Sequence, residues 1–189
     1  MKFCSTCGSA NIALRIPEGD SPERMVCGEC ETIHYQNPRV VVGSIPVWED
    51  RILLCKRAIE PRHGLWTLPA GFLENGETLQ HGAERETLEE ADARVELGEL
   101  YTVISLPQIH QVYMMFRSRL LDLDFGPGTE SLEVRLFDEC DIPWEQLAFR
   151  TIARTLRNFF LDRRLGQYKL HVSSIERRAP LPPDLLAAG

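Results

Sequence analysis

The stretch that decides the fold runs from residue 71 to residue 93 and reads GFLENGETLQHGAERETLEEADA. It begins as a glycine-containing loop and continues into strong helix formers without proline, which predicts an α-helix ending near Ala91. On that helix Glu86, Glu89 and Glu90 stand at i, i+3 and i+4 and therefore share one face. Because like charges at this spacing repel one another, the pattern indicates a cation between them.

Two interpretations of these three glutamates are open. An acidic face in contact with water is the ordinary reason for such a helix. The alternative is a divalent ion, since Mg²⁺ and Mn²⁺ prefer carboxylate oxygens and keep positions open for water and phosphate. Taken alone, the three glutamates leave both interpretations open.

This arrangement resembles the Nudix box, the signature of the Nudix hydrolases. The match covers Gly71, five residues, Glu77, seven residues and then Arg85-Glu86-x-x-Glu89-Glu90. The sequence departs from the family pattern at Thr87 and Ala93, where aliphatic residues are usual, and at Asp92, where glycine is usual. Asp92 would follow the end of the helix, where a left-handed residue is required, and aspartate adopts that conformation at modest cost.

The resemblance implies an α/β fold, the Nudix α/β/α sandwich with a mixed sheet. It also implies that Mg²⁺ or Mn²⁺ is held by Glu86, Glu89, Glu90 and the backbone carbonyl of Ala70. Arg85 would orient a glutamate, with Glu77 as one of its contacts.

Many Nudix enzymes carry a further metal-binding or catalytic glutamate on a loop outside the box. By this resemblance Glu130 is the first choice, and Glu133 is the alternative.

Four residues are predicted to contact the substrate. Arg57 and Arg62 are placed to reach a phosphate in such a fold, although a solubilising surface charge is an equally good interpretation of each. Phe72 and Tyr113 would line a pocket for a base or ring, for which packing in the core is the alternative.

Six cysteines are present, and four of them form two CxxC pairs, Cys4–Cys7 and Cys27–Cys30. This spacing is typical of a structural zinc site with four thiolate ligands. Disulfides in a secreted domain are the alternative, but the N-terminal residues lack the apolar core of a signal peptide. Cys55 and Cys140 are predicted to be buried apolar residues.

Composition limits the class of protein. The 189 residues are 43% hydrophobic and 26% charged, which is ordinary for a globular protein, and the longest apolar stretch is too short to span a bilayer. A net charge of −7 disfavours broad binding to nucleic acid or anionic membranes. We therefore expect a cytoplasmic protein with a small-molecule partner, without membrane attachment, for which nucleic acid is an unlikely ligand.

Three segments are predicted along the chain: a zinc ribbon over residues 1–36, a Nudix domain over 37–170 and a C-terminal tail over 171–189. The ribbon resembles the one attached to some Nudix proteins, including NADH pyrophosphatases. β-Branched patterning predicts strands over residues 39–48, 51–57, 95–106, 109–121 and 132–137. A helix is predicted to begin at residues 141–145 and to continue over residues 149–164.

The resemblance implies hydrolysis of a diphosphate linked to a nucleoside. NADH-directed members normally carry an SQPWPFPxS-like motif, which the region Ser105–Gln111 lacks. Stretches such as HYQNPRVVVG and FGPGTESLEVRLF resemble zinc-ribbon Nudix proteins related to plant FAD pyrophosphatase. FAD, cleaved to FMN and AMP, is therefore the predicted substrate, with ADP-ribose or NADH as alternatives.

A function of another class is a regulator that senses a dinucleotide, or binds nucleic acid, without catalysis. Intact glutamates disfavour it, because a sensor needs no set of three metal-binding carboxylates. The resemblance also implies a homodimer.

Overall fold

The structure is a computed structural model, and it describes residues 1–176. The chain divides into two compact units, Met1–Pro38 and the residues from Arg39 onward. The division lies two residues beyond the predicted end of the ribbon. Neither helix in the described part of the chain is long and apolar enough to cross a membrane.

The first unit is a small antiparallel sheet of three strands, in the order β1 (Ile12–Arg15), β2 (Arg24–Cys27) and β3 (Ile33–His34). Cys4 and Cys27 are the only buried residues among residues 1–38. This unit therefore has almost no apolar core, and its stability has to come from another source.

The second unit is built on a mixed sheet. Its elements are β4 (Arg39–Trp48), β5 (Arg51–Arg57), β6 (Trp66–Thr67), β7 (Ala70–Phe72), α1 (Leu79–Ala91), β8 (Val95–Leu106), β9 (Gln111–Leu120), β10 (Ser131–Phe137), α2 (Arg150–Leu165) and β11 (His171–Ser174). The strand order is β10-β5-β4-β9-β8-β11. The pairs β4–β9 and β8–β11 are parallel and the other neighbours are antiparallel.

The two helices lie on opposite faces of this sheet. Along β4, Val42 packs with Ala83 of α1, whereas Ile45 packs in a cluster that contains Leu156 of α2. This alternation is what a strand covered on both sides requires. The predicted α/β/α sandwich with a mixed sheet is confirmed.

Two departures from the Nudix box have local explanations. Thr87 is fully buried, and its hydroxyl donates to the carbonyl of Ala83 at 2.7 Å and is 2.8 Å from the hydroxyl of Ser44. The polar group is therefore satisfied where an aliphatic residue is usual. Asp92 ends α1 with φ of 46°, and its N–H bonds to Leu88, so the predicted left-handed helix end is confirmed.

Two predictions are wrong. Residues 141–145 begin no α-helix; short 3₁₀ turns occupy Glu139–Asp141 and Trp144–Gln146, and α2 starts only at Arg150. The residue before Pro143 is held away from helical geometry, which explains the interruption. Cys140 is exposed on the first of these turns, whereas Cys55 is buried as predicted.

The segment predicted as a tail begins inside the sheet. His171–Ser174 form β11, which pairs with β8, and Ile175 is buried. A four-residue edge strand is too short to give a clear pattern in the sequence. The rest of the predicted tail, residues 177–189, lies outside the described residues.

Candidate active site

The carboxylates of α1 are placed by a well-defined helix start. The hydroxyl of Thr78 accepts the N–H of His81 at 3.1 Å, which caps the first turn. From there the helix carries Glu86 and Glu90 on its buried side and Glu89 on its exposed side. All three nevertheless line the same cleft, as expected for residues that share one face of a helix.

Arg85 is the centre of a network of carboxylates. Its Nε and Nη2 donate to the two oxygens of Glu77 at 3.0 and 2.8 Å. Its Nη1 donates to Glu86 at 2.8 Å and to Glu89 at 3.1 Å, and Nη2 also reaches the carbonyl of Phe72 at 3.2 Å. The guanidinium thus ties α1 to the loop before it and to β7.

Glu77 is held in its charged form by these contacts. Hydrogen bonds from Arg85 and then from the N–H of Glu74 lower the pKa of Glu77 to about 2. A carboxylate bonded twice to a guanidinium serves as an anchor and is poorly suited to accept a proton. This arrangement agrees with the supporting position predicted for Glu77.

Glu90 has the opposite environment. Its side chain is only 4% exposed, and burial, followed by the negative charge of Glu86, raises its pKa to about 8. The backbone N–H of Ala70 donates to it at 3.3 Å. Burial likewise raises the pKa of Glu86. Negative charges on two buried carboxylates repel each other. A bound cation would offset that repulsion.

Gly71 lies against this pair. A Cβ at this position would come within 2.2 Å of the carboxylate of Glu86. Only a residue without a side chain lets β7 approach the glutamate so closely. This contact gives a physical reason for the first glycine of the box.

The loop between β9 and β10 docks on the end of α1. The N–H groups of Gly126 and Gly128 donate to the carbonyls of Ala91 and Glu90 at 2.9 and 3.2 Å. Glu130 follows on the same loop, lines the cleft and contributes to the raised pKa of Glu90. These bonds cap free carbonyls at the helix end and fix the loop in place.

Glu133, the alternative loop glutamate, lies elsewhere. It is on β10, where its carboxylate is 3.9 Å from Nζ of Lys56. The geometry therefore favours Glu130 over Glu133 as the additional glutamate of the site.

We predict that Gly128→Ala destabilises the protein by about 1–3 kcal/mol, the usual range for overpacking. The new Cβ would lie 1.7 Å from the carbonyl oxygen of Glu89, so the loop would have to move and Glu130 with it. Thermal unfolding measures the loss. Gly126→Ala is the matched control, because a Cβ there meets no atom within 4 Å. Equal unfolding temperatures for the two variants would show that the close approach is unnecessary.

Glu86, Glu89, Glu90 and Glu130 open on one cleft of about 1290 Å³. The four predicted substrate-contacting residues, Arg57, Arg62, Phe72 and Tyr113, all line it. Phe72 is 46% exposed with the guanidinium of Arg39 4.7 Å from its ring centre, so it is not a core residue. Tyr113 is half-buried and also packs against the cluster of Ile104 and its neighbours.

The cleft also contains residues that the sequence did not single out. They come from the 3₁₀ turn after β8, from the first residue of β9, from the start of α2 and from the residue after β11, and they include Gln108, Gln111, Phe149, Thr151 and Ile175. No signal in the sequence pointed to them, because they lie on chain segments that meet only in the folded protein.

Two groups of side chains are suited to metals. The thiol sulfurs of Cys4, Cys7, Cys27 and Cys30 lie within 4.8 Å of one another, and no disulfide joins the cysteines of the described residues. Four thiolates at this separation suit tetrahedral Zn²⁺.

The carboxylates of α1 are less tightly gathered. Glu86 and Glu89 both face Arg85, so coordination of an ion would require them to share or release that guanidinium. Their oxygen donors and partial burial suit Mg²⁺ or Mn²⁺.

Comparison with known proteins agrees with this geometry. Residues 2–36 match the model of the zinc ribbon described as Nudix N-terminal, and residues 37–159 match the model of the NUDIX domain. A crystal structure of a NUDIX hydrolase from Nitrosomonas europaea superposes with a TM-score of 0.90 and 62% identity, over 94% of this chain and 100% of that one.

Two named relatives are more distant. The NAD-capped RNA hydrolase NudC of Vibrio atlanticus is 38% identical over 166 residues, which cover 82% of this chain and 56% of that protein. The ADP-ribose pyrophosphatase of Methanocaldococcus jannaschii is 32% identical over 119 residues, 61% of this chain and 69% of that protein. The chain thus spans little more than half of this NudC relative.

The likeness to plant FAD pyrophosphatase stays a prediction, because these relatives bear other names. The family itself is shown by the NUDIX model, which covers residues 37–159 and includes the whole helix α1. The chain belongs to the Nudix family and carries the zinc ribbon found at the N-terminus of some of its members.

Proposed function

We propose that this protein is a metal-dependent pyrophosphohydrolase that cleaves the diphosphate of a nucleoside diphosphate-linked compound. The observation that carries the proposal is the buried pair Glu86 and Glu90, whose pKa values are raised and which open on a cleft that also contains Arg57. Such a pair is costly to the fold, and a cation that binds phosphate oxygens would offset that cost.

The role of each side chain in the proposed reaction follows from its position. Glu86, Glu89, Glu90 and the carbonyl of Ala70 would hold Mg²⁺ or Mn²⁺, which when bound neutralises phosphate charge and lowers the pKa of water. Glu130 would accept a proton from the attacking water. The water oxygen bonds to one phosphorus while the bond from that phosphorus to the bridging oxygen breaks, leaving two phosphomonoesters.

Arg57 is the first candidate for a contact with the phosphates. It lies close enough to lower the pKa of Glu90, yet no carboxylate of the described residues is within 4.0 Å of its guanidinium nitrogens. A guanidinium without a carboxylate partner can bind phosphate through two parallel hydrogen bonds. Arg62 lies on the same loop and lines the same cleft.

The size of the cleft fits a dinucleotide. Its volume of about 1290 Å³ exceeds the roughly 300–1,000 Å³ of pockets that hold drug-sized ligands. Phe72 offers an exposed ring for stacking at the rim. FAD remains the substrate predicted from the sequence, whereas the names of the relatives favour ADP-ribose and NAD-derived compounds.

A hydrolysis panel separates these substrates. FAD, ADP-ribose, NADH, NAD and an NAD-capped RNA oligonucleotide are each incubated with Mg²⁺ or Mn²⁺, and the products are separated by chromatography. We expect a nucleoside monophosphate from at least one small compound, only when the metal is present. If one compound binds and none is cut with either metal, the protein is a dinucleotide sensor and the hydrolase proposal is wrong.

Two accompanying features are part of the proposal. The four cysteines of the ribbon would hold a structural Zn²⁺, since this unit buries almost nothing else. A homodimer is expected by resemblance to the family, and light scattering after size-exclusion chromatography measures it.

A further inference from the structure

One buried carboxylate of the second unit has no part in the proposed reaction. Asp162 lies on α2 and is 2% exposed. Its Oδ2 accepts hydrogen bonds from Nε2 of His171 at 2.8 Å, from the hydroxyl of Tyr101 at 3.0 Å and from the N–H of Lys169 at 3.3 Å. A single oxygen thus joins α2 to β8, to the loop after the helix and to the first residue of β11.

These donors keep Asp162 in its charged form. Burial raises the pKa of this carboxyl, but hydrogen bonds from His171 and Tyr101 outweigh burial and leave the pKa below its usual value. Because an ionised carboxylate only accepts, Nε2 of His171 has to carry the proton of that bond. A buried charge needs all of its donors, so the loss of one would weaken the whole arrangement.

Aromatic rings add to the Asp162 cluster, which consists of Asp162, Tyr101 and His171. The ring centres of Tyr101 and His171 are 5.2 Å apart and those of Tyr101 and Tyr168 are 6.2 Å apart, both edge to face. The guanidinium of Arg117 lies 4.0 Å from the ring centre of Tyr168. Contacts of these two kinds stabilise an arrangement beyond the area that they bury. The first residue of β11 is therefore held from several elements.

The rest of β11 is weakly held. The strand has four residues, half-buried or exposed, and lies at the edge of the sheet beside β8. Val172 is 71% exposed, and the hydroxyl of Ser173 is buried without a hydrogen-bond partner among the described residues, which opposes docking. Beyond the ladder to β8, Arg154 supplies one bond, from Nη1 to the carbonyl of Ser174 at 2.8 Å. Docking of this strand therefore depends on the Asp162 cluster.

The other end of β11 leads into the cleft. Ile175 follows the strand, is 4% exposed and donates its N–H to the carbonyl of Ser105 at 3.0 Å. It packs with Leu106 in an apolar cluster that Tyr113 also contacts. Ile175, Leu106 and Tyr113 all line the cleft. The extended chain of β11, about 13 Å long, therefore connects the Asp162 cluster to the wall of the cleft.

We propose that the Asp162 cluster is a positioning device for the cleft, which docks β11 on β8 and thereby holds Ile175 and Tyr113 where a base or ring of the substrate binds. Asp162, Tyr101 and His171 do not line the cleft themselves, so they act through the strand. The glutamates of α1 lie on the helix that covers the other face of the sheet, so we expect the cluster to affect substrate binding rather than the metal site. The effect on substrate rests on the proposed hydrolysis, whereas docking of β11 does not.

Amide hydrogen exchange of the whole chain, without ligand or added divalent metal, tests the docking. His171→Phe keeps an aromatic ring but removes the donor. It is expected to speed exchange of the amides of residues 172–175 about tenfold, as for the loss of a hydrogen bond to a charged group. Tyr101→Phe should act in the same direction, and His171→Gln, which retains an N–H donor, should restore much of the protection. Wild-type exchange in His171→Phe would overturn the docking role.

Val172→Thr is the matched control for these variants. It changes an exposed side chain of similar shape on the same strand and should leave both exchange and kinetics unchanged. The amides of β9, which pairs with β4 and β8, should stay protected in every variant and so report that the second unit remains folded. If β9 loses protection together with β11, the cluster stabilises the whole unit and its specific role in docking is wrong.

Kinetics separate positioning from stability. With the preferred compound of the panel, His171→Phe is expected to raise KM about fivefold to tenfold and to leave kcat within about twofold, because ring binding is weakened while the metal site is intact. Ile175→Ala breaks the connection at the cleft end and should raise KM in the same way, without faster exchange at residues 172 and 173. Faster exchange of β11 with an unchanged KM in His171→Phe would make the cluster a stability feature only.

The two proposals fail separately. If no compound of the panel is cut, the dissociation constant of the compound that binds takes the place of KM. Its rise in His171→Phe would then uphold the positioning role while the hydrolase is wrong. If hydrolysis occurs but His171→Phe changes neither the exchange of β11 nor KM, the hydrolase holds and the positioning role is wrong.

Discussion

Replacing Glu90 by glutamine is expected to slow metal-dependent hydrolysis by about a thousandfold, equivalent to about 4 kcal/mol of transition-state stabilisation. The amide keeps the size of the side chain but cannot bring a negative charge to a divalent ion. Initial rates with the preferred compound of the panel, at saturating Mg²⁺, measure the loss. A Glu90→Gln enzyme that retains the wild-type rate would remove Glu90 from the metal site.

The same substitution is expected to stabilise the protein when no divalent metal is present. The pKa of Glu90 is raised from 4.5 to about 8 by burial and by the charge of Glu86. Between these two pH values the folded chain keeps a proton on Glu90 that the unfolded chain has released, so its contribution to stability falls as pH rises. By pH 8 most of that contribution is lost, and Glu90→Gln should regain roughly 2–4 kcal/mol there.

Thermal unfolding at pH 5 and pH 8 without divalent metal checks this prediction. The two proteins should unfold at similar temperatures at pH 5, and the variant should unfold later at pH 8. Glu84→Gln, an exposed substitution on the same helix, is the matched control and should change neither stability nor rate. If Glu90→Gln is no more stable than the wild type at pH 8, the negative charge on buried Glu90 does not destabilise the folded protein.

Cys27→Ser is expected to unfold the first unit. Cys4 and Cys27 are the only buried residues among residues 1–38, so burial of apolar surface contributes little to its stability. A structural zinc site contributes about 10 kcal/mol or more to the folding of such a module. Loss of one of four thiolates therefore removes most of what holds the three strands together.

The expected result is measured in two ways. Elemental analysis should show bound zinc falling from about one ion per chain to almost none, as for a four-thiolate site. Limited proteolysis should then cut within residues 1–38, while the second unit, which has its own core, resists. Cys140→Ser replaces an exposed cysteine outside the ribbon and should retain the zinc. Full zinc content in Cys27→Ser would contradict the site.

Much of the fold was predictable because its signals are local. The strands Arg39–Trp48 and Arg51–Arg57 have the bounds that their β-branched patterning predicts. Helix α1 ends at Ala91, as predicted, with a left-handed Asp92 after it. Each of these depends on residues within a few positions of one another, where propensity and periodicity act directly.

The residues of the candidate site were predictable only where a short separation along the chain also brings the side chains close together in space. Three glutamates on one helix and two CxxC pairs meet that condition. The choice between Glu130 and Glu133 does not, because it depends on two glycines docking on the end of α1. Nothing in the sequence near these glutamates records that contact.

By itself the sequence determined the family, the helix that carries the three glutamates and the cysteine cluster, since regular spacing fixes which side chains share a face or a turn. The tertiary structure alone decided that Glu130 reaches the cleft, that His171–Ser174 extend the sheet and that Thr151 is buried without a partner. The reason is physical, because these features arise where segments far apart in the chain pack together. The free energy of such a contact depends on both segments, so neither segment predicts it alone.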